Sequence, residues 1–238
     1  LSYDEIQINR KFYLSGKKEL ELLKRIRLSA SDSYVRVKNG FATLFDDVFI
    51  GELPFMEYTI PVLKASTGKW SRAFFPYDEK GSPLAYELLS ESESVCRYLE
   101  DHAERLLKGR KRSETPDWFL YGRTQALKDV CILKYAVNTC IKGVGSIKLT
   151  EVPPGCGLYS GLYILPDKGV TFDMLDRIIR NEEFIRYVSL LKNYKSGGYY
   201  TFNSKDLELY INYKIQLEYG KGRDNLSTGQ LGLFESAY

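Results

Sequence analysis

The sequence predicts an α+β fold made of mixed sheets with interleaved helices. Short runs in which apolar and polar residues alternate recur along the 238 residues, and this alternation is typical of strands. Other segments carry apolar residues three and four positions apart, the spacing of amphipathic helices. The two kinds of segment follow one another irregularly, without a repeat of fixed period. This irregular order favours α+β over a regular doubly wound sheet.

The first predicted elements are a helix and two short strands. Apolar residues at helical spacing predict a helix over residues 17–27. Residues 34–38 alternate between apolar and basic side chains and predict a strand, which the turn signal Asn39-Gly40 follows. Residues 47–51 are predicted to form a second strand.

The middle of the chain is predicted to hold extended segments and one long helix. Residues 59–63 and 70–77 have the composition of strands. A helix is predicted from Ser92 to about Lys108, because apolar residues follow one face and Ser92 or Ser94 can cap its beginning.

The C-terminal half is predicted to contain strands first and helices later. We expect strands over residues 130–136, 146–152 and 157–165, and helices over residues 172–179, 182–191 and 206–210. A glycine-containing loop is expected over residues 195–200 and a polar linker over residues 220–229.

Composition restricts the class of protein only broadly. The length fits one large domain or two small ones, and 44% hydrophobic residues suffice for a sizeable core. The net charge of +3 is weakly basic, so the distribution of charge matters more than its sum. No apolar run approaches a membrane span, and residues 1–14 lack a signal peptide, so we expect a cytoplasmic protein without a membrane partner. Because the chain begins with Leu1, we expect it to be part of a longer protein.

Residues for catalysis or metal binding do not form a recognisable site in the sequence. The four cysteines have no zinc-finger spacing and are interpreted as small buried hydrophobes, and His102 is interpreted as a packing or surface residue. Phosphate-binding loops and nucleophile elbows are absent. The one Asp-x-Lys spacing, Asp78-Glu79-Lys80, is interpreted as a surface turn. We therefore predict no catalytic residue and no metal ligand in this chain.

The strongest functional signal lies in residues 118–127. This segment combines three aromatic residues, a glycine, Arg123 and Gln125, and it follows a basic run at residues 108–112. Arginine pairs with guanine edges and glutamine with adenine edges, which suggests a surface that reads nucleic acid. The alternative is a core segment whose arginine and glutamine are solvated helix residues.

Several segments together resemble the C-terminal target-recognition region of adenine-N6 DNA methyltransferases of restriction–modification systems, in particular the Eco57I-like and TaqI-like enzymes. They occur in the family's order between about residues 34 and 215. The segments are Asn-Gly-Phe-Ala-Thr-Leu-Phe-Asp-Asp-Val-Phe-Ile at 39–50, Phe-Pro-Tyr-Asp at 75–78, Tyr98-Leu99 with His102, Leu106 and Arg110, Trp118-Phe119 with Tyr121-Gly122-Arg123-Thr124-Gln125, Tyr-Ser-Gly-Leu-Tyr-Ile at 159–164, and Ser-Gly-Gly-Tyr-Tyr-Thr at 196–201.

The resemblance implies a division of the chain and of the chemistry. Residues 1–33 would be a helical connector to a missing catalytic domain, residues 34–215 the DNA target-recognition domain, and residues 216–238 a polar tail. The family's glycine-rich S-adenosylmethionine motif and Asn-Pro-Pro-Tyr/Phe motif are absent here. The parent would therefore bind S-adenosylmethionine and methylate adenine, whereas this chain would bind double-stranded DNA, without a cofactor of its own, and contact the catalytic domain.

The resemblance, together with side-chain chemistry, assigns roles to individual residues. Base reading is assigned to Arg123 and Gln125, with Thr43, Tyr121 and Tyr199 in support and Gly122 allowing close approach. Phosphate contacts are assigned to a larger set of cationic side chains and loop residues. These residues are Lys108, Arg110, Lys111, Arg112, Lys195, Ser196, Gly197 and Gly198.

Two other functions stay open at this point. A specificity subunit of a multi-subunit restriction system would also read DNA, but the half-repeats and long heptads typical of such subunits are absent. A protein-interaction module without a DNA role would use the same aromatic residues as an assembly surface.

Overall fold

The computed structural model describes residues 6–8, 11–28, 32–108, 117–167 and 169–219. They form an α+β structure with several small sheets, as the sequence predicts. The chain divides into two compact units. Unit 1 contains residues 1–37, 140–147 and 166–238, and unit 2 contains residues 38–139 and 148–165.

Unit 1 begins with a short hairpin and a helix that belongs to its core. Strands β1 (Gln7–Ile8) and β2 (Lys11–Phe12) pair antiparallel. Helix α1 (Lys17–Leu28) follows and buries a leucine–isoleucine stripe made of Leu20, Leu23 and Ile26. Helix α1 packs against later helices of the same unit.

Three further helices complete the core of unit 1. They are α5 (Phe172–Ile179), α6 (Glu182–Leu190) and α7 (Ser204–Tyr219). Thr171 caps α5 by accepting a hydrogen bond from the Met174 amide, and Asn181 caps α6 by accepting one from the Phe184 amide. These caps satisfy amide groups that a helix leaves without intrahelical partners.

Helix α7 is much longer than the predicted helix over residues 206–210, because its polar residues are buried with partners. The Asn212 side chain accepts hydrogen bonds from the Tyr34 and Val35 amides and donates to the Val35 carbonyl. One turn earlier, Glu208 accepts from the Val37 amide. Strand β3 (Val35–Asn39), which leads from unit 1 into unit 2, is thus bound along its first residues by a helix.

Unit 1 also contains a three-stranded antiparallel sheet. Its strands are β7 (Cys140–Ile141), β11 (Tyr194–Lys195) and β12 (Tyr199–Thr201), in the order β11-β12-β7. Tyr194 pairs with Tyr200, and Tyr200 pairs with Ile141.

Unit 2 contains two sets of strands. In one, β4 (Thr59–Lys64) pairs antiparallel with β5 (Lys69–Phe74) and parallel with β9 (Gly157–Tyr159). In the other, β6 (Lys134–Val137) lies between β8 (Leu149–Val152) and β10 (Leu162–Pro166), antiparallel to both. Helices α2 (Asp46–Phe49), α3 (Tyr86–Ser90) and α4 (Glu93–Lys108) join these strands around an aromatic-rich core.

Three predicted strands of unit 2 differ from the structure. Residues 46–49 form a helical turn, which allows the adjacent Val48 and Phe49 to be buried together. Residues 130–133 belong to a turn that follows a 3-10 segment, so β6 begins only at Lys134. The predicted strand over residues 157–165 is interrupted because Ser160 adopts a φ of 55° and Gly161 packs closely against Ala65.

Within the part of the chain that the structure describes, no helix is both long and apolar enough to cross a membrane.

Candidate nucleic-acid interface

The backbone of the central segment, residues 118–127, is held by unit 2. The Arg123 amide donates to the Ala42 carbonyl over 3.0 Å, in an antiparallel bridge between these two residues. The Tyr121 amide donates to the Tyr77 hydroxyl over 2.6 Å. These hydrogen bonds fix the backbone that carries Arg123 and Gln125.

Tyr121 is a core residue, and its predicted role as a base contact is corrected. Its ring lies 4.9 Å from that of Phe41 and 5.2 Å from that of Phe49, measured between centroids. Its hydroxyl donates to the Phe74 carbonyl over 2.6 Å, and burial raises the pKa of this phenol well above its ordinary value. Neither the ring nor the hydroxyl can reach a base from this position.

Thr43 is also buried, so its predicted supporting role is corrected as well. Its side chain is 0% exposed, and its hydroxyl donates to the Asp46 carboxylate over 2.5 Å. The same oxygen accepts from the Phe45 amide over 3.2 Å. Thr43 therefore organises the beginning of α2 from within the protein.

Gly122 provides a close approach, but the group that approaches is within this chain. A Cβ atom at this position would lie 2.2 Å from Cγ and Cδ1 of Leu44. Leu44 itself is exposed and adopts a φ of 71°. The lack of a side chain at Gly122 is explained by this packing, without an external ligand.

Arg123 and Gln125 are both exposed, as a reading surface requires. Among the described residues, the Arg123 guanidinium takes part in no side-chain hydrogen bond or ion pair. Gln125 makes one long contact, with 3.5 Å between its Nε2 atom and the Gly40 carbonyl oxygen. The preceding aromatic residues behave as the alternative interpretation expects, since Phe119 is buried and Trp118 is partly buried against the core.

The basic run is described only at its first residue. Lys108 ends helix α4 with an exposed side chain that forms an ion pair with Glu104 one turn earlier. Arg110, Lys111 and Arg112 lie outside the described residues.

The predicted loop residues of unit 1 form the tip of the hairpin between β11 and β12. Lys195, Ser196, Gly197, Gly198 and Tyr199 are all exposed. Gly197 and Gly198 have φ angles of 77° and 78°, a left-handed conformation that glycine adopts without steric cost. The turn itself therefore explains why two glycines are needed here.

The structure adds a cation that the sequence analysis did not select. The Lys142 ammonium lies 5.9 Å from the centroid of the Tyr199 ring. Lys142 follows β7, whose pairing with β12 joins residues far apart in sequence. Lys142 lies between the predicted strands over residues 130–136 and 146–152, where no local pattern indicates a strand or its partner.

A buried polar network in unit 2 was also missed. The Asp129 carboxylate accepts from the Lys38 ammonium over 2.7 Å and from the Tyr163 hydroxyl over 2.6 Å. Burial alone would raise the pKa of Asp129, but these hydrogen bonds and the charges of Lys38 and Lys134 together lower it. The carboxylate is therefore ionised and holds neighbouring elements of unit 2 together.

Lys134 stabilises the turn beside this network. Its ammonium donates to the carbonyl groups of Asp129, Val130 and Ile132. Burial lowers the pKa of Lys134 to about 8, and nearby charges, among them the Asp129 carboxylate, offset part of this shift. All three of its protons are thus used within the turn, and the side chain has a structural role.

The cysteine and histidine interpretations have different outcomes. Cys156 is buried, but Cys131 and Cys140 are exposed, which corrects the interpretation of the cysteines as buried hydrophobes. His102 packs its ring against that of Tyr98, with 4.4 Å between centroids. Among the described residues, no group of three or more His, Cys, Asp or Glu side chains is placed to hold a metal ion.

No known protein family has a model that matches this chain. A search of curated proteins likewise finds no matching relative. Support for a function therefore comes from the geometry of the exposed residues and from the resemblance of the motifs.

Proposed function

We propose that this chain recognises double-stranded DNA as the target-recognition region of a site-specific adenine-N6 DNA methyltransferase of a restriction–modification system. The supporting observation is the exposure of Arg123 and Gln125 on a backbone that unit 2 holds in place. The order of the resembling motifs supports the same function.

The geometry suits base reading because the anchoring and the reading groups are separate. Buried Tyr121 and the bridge to Ala42 fix the backbone, whereas the guanidinium of Arg123 stays available to a ligand. A binding group on a rigid support loses less conformational freedom when it engages a base edge. Arginine would contact guanine, and glutamine would contact adenine.

Cationic and loop residues of each unit would hold the DNA backbone. Lys108 in unit 2 can contact phosphates, which position a protein without specifying sequence. In unit 1, Tyr199 would support base contacts, and the exposed hairpin tip from Lys195 to Gly198 would contact phosphates. Arg110, Lys111 and Arg112 are proposed to act in the same way, on the basis of sequence. Tyr121 and Thr43 are not part of the proposed interface.

Methyl transfer would be carried out by the parent protein. S-adenosylmethionine and the flipped adenine would be bound by the catalytic domain, which we propose as the chain's protein partner in the cytoplasm. We expect no methylation when this chain alone is incubated with duplex DNA and S-adenosylmethionine.

The test is selection of binding sites from a random duplex pool by the 238-residue chain, followed by sequencing. Arg123→Ala should lose about 1–3 kcal/mol of discrimination at one base position and leave the others unchanged. Arg97→Ala is the matched control, since Arg97 is also an exposed arginine of unit 2 but pairs with Glu93 on α4. An equal loss of affinity for all sequences would remove the reading role of Arg123.

The same material separates the alternative functions. Binding to random duplex at low salt is expected of a methyltransferase recognition region and of a restriction specificity subunit. A protein-interaction module would show no such binding, and that result would exclude the proposed function.

A further inference from the structure

The hairpin sheet of unit 1 has two unlike faces. Ile141 on the inner face is fully buried, and Tyr200 is its neighbour across the strand pair. The outer face carries the alternate residues, which place Tyr199 between Lys195 on one side and Lys142 on the other. All three of these side chains are exposed.

The charge on this sheet has one sign. Residues 140–147 and 192–203 contain three lysines, at positions 142, 192 and 195, and no aspartate or glutamate. Two of these lysines flank the exposed ring of Tyr199 in a row across three strands. Neighbouring strands lie about 4.8 Å apart, so the backbones that carry the two lysines are roughly 10 Å apart, with Tyr199 on the strand between them.

We propose that the outer face of this sheet binds single-stranded nucleic acid, with an unpaired base stacked on the Tyr199 ring and phosphates against Lys142 and Lys195. The site uses Lys195 and Tyr199, which are also among the proposed duplex contacts, but it does not depend on Arg123. Any base can stack on an aromatic ring, so the site does not prefer one sequence over another. It prefers unpaired nucleotides, because only their base faces are free to stack on the ring.

The hairpin tip keeps the ring of Tyr199 accessible. A Cβ atom on Gly197 would lie 3.5 Å from the Tyr199 ring, and one on Gly198 would lie 3.6 Å from Cε of Lys142. With glycine at both positions, no side chain covers the ring or the ammonium group from the tip. A duplex keeps its base faces stacked, whereas a single strand offers them to such a ring.

The main experiment measures binding of fluorescein-labelled oligothymidine to the full chain by fluorescence anisotropy at low salt. Tyr199→Ala should weaken binding about tenfold, and Tyr199→Trp should keep it. Tyr194→Ala is the matched control because Tyr194 is an exposed tyrosine of the same hairpin, 57% exposed, on the opposite face. Its affinity for oligothymidine should equal that of the wild type.

A second measurement tests the phosphate contacts. The combined Lys142→Gln and Lys195→Gln variant should reduce the slope of log K against log salt by about 1.4, which is two phosphate contacts on a single strand. A Lys80→Gln and Lys128→Gln variant is the control, since both lysines are exposed in unit 2.

Several results would overturn the proposal. They are unchanged binding by Tyr199→Ala, an equal loss in Tyr194→Ala, or displacement of oligothymidine by polyglutamate at equal charge, which would indicate an acidic protein partner. If Tyr199→Ala fails to fold by circular dichroism, Tyr199→Leu replaces it and should show the same loss. Arg123→Ala should leave oligothymidine binding unchanged, so failure of this site and failure of the duplex-reading surface are distinguishable.

Discussion

The central segment of unit 2 and the hairpin of unit 1 have similar compositions, but the tyrosine is buried in the first and exposed in the second. Each combines tyrosine, glycine and a cationic residue within a few positions. Tyr121 is buried and anchors its segment, whereas Tyr199 is exposed at the side of a tight turn. The comparison teaches that aromatic and basic composition marks a candidate binding segment but does not identify the residues that face a ligand.

The neighbours of each tyrosine explain the difference. Tyr121 follows Phe119 and Leu120, which are buried, and its hydroxyl finds the Phe74 carbonyl inside the core. Tyr199 follows two glycines in the left-handed conformation, which bring the chain sharply back on itself. A tyrosine can be buried when its hydroxyl finds a hydrogen-bond acceptor inside the core. A tight surface turn such as the one at Gly197 and Gly198 keeps the residue that follows it at the surface.

The largest expected effect distinguishes the two tyrosines by stability. Tyr121→Ala should lower the free energy of unfolding by about 3–5 kcal/mol, because it removes a packed ring and leaves the Phe74 carbonyl without its donor. Tyr199→Ala should change the free energy of unfolding by no more than about 0.5 kcal/mol. Urea denaturation followed by circular dichroism measures both.

Similar losses in the two variants would contradict the contrast between a core tyrosine and a surface tyrosine. Tyr121→Phe serves as a control, since it keeps the ring and removes only the hydroxyl. It should cost about 1–3 kcal/mol.

An intermediate effect is expected at Asp129, which belongs to the core of unit 2 that supports the central segment. Its pKa is lower in the folded protein than in the unfolded chain, so as the pH falls the unfolded chain takes up a proton at this carboxylate before the folded protein does. The stabilisation is complete above the unfolded pKa of about 4 and is lost as the pH falls through the folded-state pKa. Asp129→Asn should cost about 1–3 kcal/mol at neutral pH.

The pH dependence is the decisive readout for Asp129. The difference in unfolding free energy between wild type and Asp129→Asn should shrink as the pH is lowered from 6 to 3. A difference that stays constant across this range would contradict an ionised, hydrogen-bonded carboxylate. Asp173→Asn is a suitable control because Asp173 is an exposed carboxylate of unit 1.

The smallest effect is expected at the hairpin tip. Gly198→Ala should cost roughly 1–2 kcal/mol, because alanine in a left-handed conformation is strained. Gly145→Ala should cost nothing measurable, since a Cβ atom there would meet no atom within 4 Å. Equal values for the two variants would show that the turn at Gly198 relaxes without strain.

Apolar periodicity predicted the elements whose buried faces are apolar. The stripe of α1 and the paired helices α5 and α6 follow the expected spacing, and β4 begins at the predicted residue. The end of α7 could not be predicted in this way. Asn212 and Lys214 interrupt the apolar pattern, yet both are buried. Asn212 bonds to residues far away in sequence, and Lys214 forms ion pairs with Glu218 on the same helix and with the more distant Glu183.

The candidate site was predictable only in part, because some of its features also depend on residues that are distant in sequence. Local chemistry selected Arg123, Gln125 and the hairpin tip, all of which are exposed. It could not separate them from Tyr121 and Thr43, because burial depends on contacts with residues from other segments. It also could not select Lys142, whose position beside Tyr199 depends on the pairing of β7 with β12.

The hydrogen bonds from α7 to the beginning of β3 have a consequence for self-association. Backbone groups along the open side of an edge strand invite a strand from another molecule, which is a common route to aggregation. Here the amides of Tyr34, Val35 and Val37 already donate to Asn212 and Glu208. A second copy of the chain would find no free amide at these positions, so this helix protects the strand against intermolecular pairing.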